Sequence, residues 1–177
     1  VVICVTGKIA TGKSTVSQFF AQRGFEYINV DKLGHIAFEM NKENIKQTFG
    51  TCDRKEIAKI VFADPQKLKL LESIVHPTMM RLLKDELETR KGKDIVIEAA
   101  IKRRLGIDCC DITITVVCDK KVIKERLKER YDEDLVEEIL ERQSDIEPEG
   151  IVIENNSSLE ELQSQLEKIY QQIKAKG

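Results

Sequence analysis

The chain has 177 residues, 41% hydrophobic and 34% charged, enough apolar material for one domain with its own core. Lysine plus arginine number 29 and aspartate plus glutamate 31, a net charge of −2, so the basic excess that neutralises a nucleic-acid backbone is missing and no nucleic-acid partner is expected. The longest apolar run, near Thr113–Cys118, is strand-sized and the first residues lack a signal-peptide pattern, so the expected setting is cytoplasmic with no membrane partner.

Val1–Thr6 is a short β-branched run, as in a strand buried on both faces of a parallel sheet. Gly7–Gly12 interrupts it, and Ser14–Arg23 carries Val16, Phe19 and Phe20 at helical spacing before Gly24. Tyr27–Val30 reads as a second strand ending at Asp31. From Lys32 to about Lys91 the pattern is mostly helical, with Asp53-Arg54-Lys55-Glu56 resembling a capping box and Asp64-Pro65 a cap followed by proline at the first helical position. Strand character returns at Asp94–Glu98 and Ile112–Cys118, with the basic Lys102-Arg103-Arg104 between them. Lys120–Gln143 is amphipathic and reads as two helices broken near Tyr131-Asp132; Ile151–Ile153 is a last short strand. Leu159, Leu162, Leu166, Ile169 and Ile173 are spaced 3,4,3,4, a run too short for a coiled coil and suited to a helix laid on a sheet.

Strands separated by helical stretches imply parallel pairing through crossover helices, hence a three-layer α/β domain spanning 1–177. Ligands in such sheets bind at the carboxyl ends of strands, where Gly7 and Asp31 both fall. The helical middle is too long for one crossover and is expected to project as a substrate-binding subregion over about 32–91. Cys4, Cys52, Cys109, Cys110 and Cys118 form no CxxC pair, so reduced thiols are expected rather than a disulfide framework or a zinc site.

Gly7-Lys8-Ile9-Ala10-Thr11-Gly12-Lys13-Ser14 fits G-x-x-x-x-G-K-[ST] at every fixed position. The glycines let successive N–H groups face one point, and the helix that follows adds its positive end. Lys13 would reach the β- and γ-phosphates and the Ser14 hydroxyl would ligate Mg²⁺. Neither D-x-x-G after a strand nor N-K-x-D is present, so a GTPase switch is not indicated. Asp31 offers the carboxylate with which a kinase positions an attacking hydroxyl and takes its proton; the other reading is a cap for a helix starting at Lys32. Arg126 and Arg130, four apart on one predicted helix face, either clamp a phosphoryl group from a lid or belong to a solvated face with Glu125, Lys128 and Glu129. His76, before Pro77, is a packing or helix-start residue on its own evidence.

Together these residues resemble the dephospho-CoA kinase family, P-loop kinases related to nucleoside monophosphate kinases. The resemblance covers nearly the whole chain: VTGKIATGKST, YINVDK at Tyr27–Lys32, DRKEIAKIVF from Asp53, LESIVHP at Leu71–Pro77, RLKER at Arg126–Arg130, Gln143, and IENNSSLEEL at Ile153–Leu162. It implies a three-layer P-loop NTPase fold with a five-stranded parallel sheet, a helical CoA-binding insertion and a lid over about 119–147. It implies transfer of the γ-phosphate of ATP to the 3′-hydroxyl of dephospho-CoA, the last step of coenzyme A synthesis, with Mg²⁺. By that similarity Asp31 is the base, and Lys13, Arg130 and Arg126 lie near the transferring phosphate. Gly7 through Thr15 and Asn155 hold ATP, and Arg54 and His76 lie on the substrate side.

The sequence departs from the family at two places. Asn29 stands where the first carboxylate of D-x-D is usual, and Ala99–Arg104 (AAIKRR) does not match P-L-L-x-E. Glu98, at the end of the preceding strand, is a candidate holder of a Mg²⁺-bound water. Lys102-Arg103-Arg104 either meets the substrate pyrophosphate or forms a solvated loop. Alternatives are another small-molecule P-loop kinase, of a nucleotide or a shikimate-like metabolite, and an ATP-binding module without catalysis. A monomer or small homo-oligomer is expected.

Overall fold

Five short runs rich in β-branched residues pair into one sheet: β1 (Val2–Gly7), β2 (Glu26–Asn29), β3 (Ile95–Glu98), β4 (Ile112–Val117) and β5 (Ile151–Glu154). The computed structural model describes residues 1–144 and 146–176, apart from the side chains of Arg103 and Arg104. The strand order is β2-β3-β1-β4-β5 and all strands are parallel. β1 is central, in register with β3 from Val2↔Ile95 to Val5↔Glu98 and with β4 from Ile3↔Ile112 to Gly7↔Val116. The loop after Gly7 therefore springs from the middle of the sheet, at the carboxyl ends of the strands.

The chain divides into two compact units, Val1–Ile28 with the chain from Gly92 onward, and Asn29–Lys91. In the first, α1 (Lys13–Ala21) and α9 (Leu159–Lys176) cover one side of the sheet, and Ile3, Val5, Val16, Phe20, Ile114 and Leu166 belong to one buried core. Leu162 and Leu166 are fully enclosed and Ile169 and Ile173 pack against the core, as the spacing predicts. Leu159 at the helix start does not follow: it is 56% exposed. α6 (Lys102–Leu105) follows β3, and α7 (Lys120–Leu127) and α8 (Glu133–Arg142) follow β4, parted at Tyr131-Asp132 with Asp132 capping Leu135 N–H.

Two expectations are corrected in this unit. Cys4 and Cys110 are joined by a disulfide, with Cα atoms 5.7 Å apart, whereas Cys52, Cys109 and Cys118 are free thiols. Spacing along the chain gave no sign of the bond because its partners are 106 residues apart and meet only once β1 and the segment before β4 lie side by side. Lys102 is not in a solvated loop: it is mostly buried, on α6, and pairs with Glu149 at 2.6 Å. Arg103 and Arg104, considered above for the pyrophosphate, lie outside the described side chains.

The second unit is helical: α2 (Val30–Met40), α3 (Lys42–Phe49), α4 (Arg54–Ala63) and α5 (Pro65–Thr89), with Leu33, Ala37, Ile45, Ile57, Met79 and Leu83 buried. Asp64 caps α5 through Gln66 N–H with Pro65 in its first turn. The expected capping box is only half formed. Asp53 accepts from Lys55 and Glu56 N–H, but its own N–H goes to Thr51 Oγ1 instead of the Glu56 side chain. Pro77 lies inside α5, which accommodates it across 25 residues. Among the described residues no helix is long and apolar enough to cross a membrane.

Candidate active site

The loop from Gly7 to Ser14 is shaped by three residues at positive φ. Gly7 has φ 151° and Gly12 φ 102°, and Ala10 has φ 59°, the one positive value at a non-glycine among the described residues. A Cβ on Gly7 would stand 2.5 Å from the Val116 carbonyl oxygen, so the glycine is what lets the loop leave β1 against β4.

The loop carbonyls are held by named donors. Lys8 C=O accepts from Thr11 Oγ1 at 2.8 Å and from Lys13 Nζ at 3.0 Å. Ala10 C=O accepts from Arg126 Nη1 at 2.8 Å, and Thr11 C=O from Asn155 Nδ2 at 2.9 Å. In a trans peptide the carbonyl and the next N–H point opposite ways, so fixing these two carbonyls turns the amides of Thr11 and Gly12 to the other side of the loop. α1 then begins at Lys13 with no side-chain cap on its first amides. Such amides with a helix N-terminus behind them form an anion cradle.

Beside the cradle, Ser14 Oγ donates to Glu98 Oε2 at 3.1 Å, and Tyr27 Oη donates to Glu98 Oε1 at 2.5 Å. Glu98 is 3% exposed, and these two donors take the place of water on its carboxylate oxygens. Burial, reinforced by the Glu98 contact, pushes the Tyr27 hydroxyl well above its ordinary pKa and keeps it a donor. The exposed Ser14 hydroxyl spends its proton on Glu98, leaving its oxygen lone pairs for a cation. That donor set fits Mg²⁺, which takes few protein ligands and fills its shell with phosphate and water oxygens.

Arg126 and Arg130 do not share a helix face. α7 ends at Leu127, and Arg130 stands exposed in the following turn. Nor is Arg126 merely solvated: besides Ala10 it donates to the Asn155 carbonyl at 3.0 Å and the Cys118 sulfur at 3.0 Å. Cys118 in turn donates to the Asn155 carbonyl at 2.9 Å, and burial raises its thiol pKa against the pull of Arg126. Ile123, Leu127, Val136 and Leu140 form a small core between α7 and α8, against which Ile9, Ala10 and Cys118 pack. A cleft of about 410 Å³ opens there, lined by Lys8, Cys118, Lys120, Ile123, Glu137 and Leu140 among others.

In the helical unit the expected cap is corrected. α2 starts at Val30, and its cap is Asn29, whose Oδ1 accepts from Asp31 N–H at 2.9 Å and Lys32 N–H at 3.3 Å. Asp31 is thus not the cap but an exposed first-turn carboxylate, where the helix dipole favours negative charge. Arg54 is anchored on α2: Nη1 meets His35 Nδ1 at 2.7 Å, Nη2 donates to His35 C=O at 3.0 Å, and the guanidinium lies over the Phe38 ring. His76 lies 3.7 Å from Glu72 on α5.

Tyr27, His35 and Cys118 were missed as site residues in the sequence. His35 and Cys118 lie outside the quoted motifs, and Tyr27, though it opens YINVDK, meets Glu98 across 71 positions, a contact only the β2–β3 pairing creates.

The dephospho-CoA kinase family model matches residues 1–161. A dephospho-CoA kinase of Fusobacterium nucleatum is 34% identical, the match covering 97% of this chain and 98% of that protein. One from Borreliella burgdorferi is 33% identical, covering 97% and 94%. The crystal structure of TT1252 from Thermus thermophilus superposes with a TM-score of 0.79 at 30% identity, over 97% of both chains. The fold is shared more widely: a Bacteroides thetaiotaomicron shikimate kinase reaches a TM-score of 0.57 at 12% identity, over 98% of both chains. By its family match and these relatives the chain belongs to the dephospho-CoA kinase family.

Proposed function

We propose that this protein transfers the γ-phosphoryl group of ATP to the 3′-hydroxyl of dephospho-CoA, giving coenzyme A and ADP. The observation that carries the reading is the cradle, with each of its Lys8, Ala10 and Thr11 carbonyls taken by a side-chain donor, in a member of this family. Within Gly7 to Thr15 the loop amides other than that of Ile9, which Gln143 takes, bind the phosphates, and Lys13 offsets the charge that develops on the β–γ bridge. The Ser14 hydroxyl, with Glu98 behind it, would hold Mg²⁺, which when bound would supply charge neutralisation on the phosphate oxygens.

On the substrate side, Asp31 accepts the proton of the 3′-hydroxyl as its oxygen bonds to the γ-phosphorus and the bond to the bridging oxygen breaks. Its place in the first turn of α2 is one where the helix dipole favours a negative charge. Arg54 and His76 bind the acceptor. Arg130 meets the transferring phosphoryl group, with Arg126 beside it, and Asn155 forms part of the adenine pocket. The setting we propose is cytoplasmic.

The test offers Mg²⁺ and ATP with dephospho-CoA, nucleoside monophosphates and shikimate together, reading products by mass. One phosphate gained on dephospho-CoA alone, with turnover in Asp31→Asn reduced about 10²–10⁴-fold, is the expected result. Transfer only to another acceptor, or none from folded protein that binds ATP, overturns the proposal.

A further inference from the structure

The cradle is gripped by the α7–α8 pair on both flanks of its most unusual residue. Ile9 N–H donates to Gln143 Oε1 at 2.9 Å, and Arg126 Nη1 holds the Ala10 carbonyl at 2.8 Å. The Ile9 and Ala10 side chains pack on the apolar core shared by the two helices. Ala10 itself sits at φ 59°, a conformation a residue with a Cβ rarely takes unless its neighbours impose it.

Gln143 ends α8, and its backbone N–H caps the helix by donating to the Ile139 and Leu140 carbonyls. That duty falls to the main chain and needs no glutamine. The side chain instead reaches back across 134 positions to one loop amide. Ile9 N–H is thereby satisfied by protein and is not among the amides left for phosphate.

We propose that Gln143 is a positioning residue of the ATP site, acting through the Ile9 amide to hold the cradle in its binding conformation. It touches neither reacting atom. Its carbonyl fixes the Lys8–Ile9 peptide while Arg126 fixes the Ala10–Thr11 peptide, so the loop enters binding already ordered on both sides of the Ile9–Ala10 unit and ATP does not bear the ordering cost. The inference rests on the ATP reading above, and the test separates the two.

Gln143→Met keeps the length and the backbone cap but removes the acceptor; Gln143→Glu keeps an acceptor. Amide exchange at Ile9 is followed by NMR, and ATP binding with Mg²⁺ by calorimetry. In Gln143→Met we expect faster exchange at Ile9 and an ATP Kd raised about threefold to tenfold, the worth of one neutral hydrogen bond. KM for ATP should rise with it while KM for the acceptor stays. Gln143→Glu should restore protection at Ile9. Unchanged Ile9 exchange or unchanged ATP affinity in folded Gln143→Met overturns the proposal, as does failure of Gln143→Glu to protect Ile9. If Gln143→Met does not fold, Gln143→Asn, one methylene too short to reach, is read by the same criteria. Wild-type protein that binds no ATP would overturn the functional reading instead, and Ile9 exchange would still decide the latch.

Discussion

Asn155 Nδ2 donates to the Thr11 carbonyl at 2.9 Å, and the same nitrogen stands 2.5 Å from where a Cβ on Gly12 would lie. The first residue after β5 and the second fixed glycine of the cradle are thus fitted to one another. Asn155 N–H also donates to the Val117 carbonyl at 2.8 Å, extending the ladder from which the side chain reaches. The sheet edge and the loop are built as one piece.

The two cradle glycines should therefore fail differently. Gly12→Ala meets a side chain and Gly7→Ala meets the backbone oxygen of Val116 at 2.5 Å, both at positive φ. Each should destabilise the fold by about 1–3 kcal/mol and lose ATP binding. Adding Asn155→Ala should recover part of the thermal stability lost in Gly12→Ala, because the clash is gone and what remains is backbone strain and the lost donor to the Thr11 carbonyl. The same addition should recover nothing in Gly7→Ala and lower its melting further, because there it only removes the Thr11 hydrogen bond. Equal recovery in both backgrounds, measured by calorimetric melting, would contradict the contact geometry.

Asn29 marks a place where the sequence departs from its family yet keeps a capping side chain. Its Oδ1 takes the first free amides of α2. Asn29→Ala should cost about 0.5–2 kcal/mol in urea unfolding, while Asn29→Asp, with an equivalent acceptor, should hold wild-type stability. A loss as large in Asn29→Asp as in Asn29→Ala would show that the cap is not what the residue contributes.

Tyr27 gives the fold a pH dependence with a definite sign. Burial first, then the Glu98 hydrogen bond, raises its hydroxyl pKa above the ordinary value of 10.0. Below that value both folded and unfolded chains carry the proton and the contribution is complete. As pH rises past it, the unfolded chain releases the proton that the folded chain keeps, and stability falls. Subtracting the pH–stability curve of Tyr27→Phe from that of wild type should therefore leave a difference that is flat below about pH 9 and declines from about pH 10 upward. A flat difference through pH 11 would mean that the phenol is neither buried nor held by Glu98 as described.

What could be read from the sequence follows the range of the forces involved. The strands, the cradle and the break before Asp132 are local patterns, and each stands within a residue or two of its expected place. The family motifs carried the fold as far as the five-stranded sheet. Residue type leaves Asp31 open between base and cap, and the cap of α2 falls two residues earlier on Asn29, because both are good capping types and only the backbone decides between them. The contacts of Tyr27 with Glu98, Gln143 with Ile9 and Arg126 with Ala10 span 71 to 134 positions, and no periodicity encodes them. Residue type did not distinguish Arg126 on a solvated face from Arg126 under the cradle.

The Cys4–Cys110 disulfide closes a loop of 106 residues of separation, and so constrains mainly the unfolded chain. Reduction should lower unfolding stability by about 2–4 kcal/mol, read as a shift of the urea midpoint with and without a thiol reductant. Cys110→Ser should unfold where reduced wild type does and should ignore the reductant. Cys109→Ser should behave as wild type, because that neighbour is an exposed free thiol. The cradle should survive reduction, since β1 is pinned by parallel ladders to both β3 and β4 whatever Cys4 is bonded to. ATP affinity in reductant should match that in its absence at temperatures well below melting. A urea midpoint indifferent to reductant would mean that the thiols are already reduced in solution, and equal midpoints for Cys110→Ser and oxidised wild type would say the same. A midpoint that shifts in Cys110→Ser as much as in wild type would place the sensitive bond elsewhere among the cysteines.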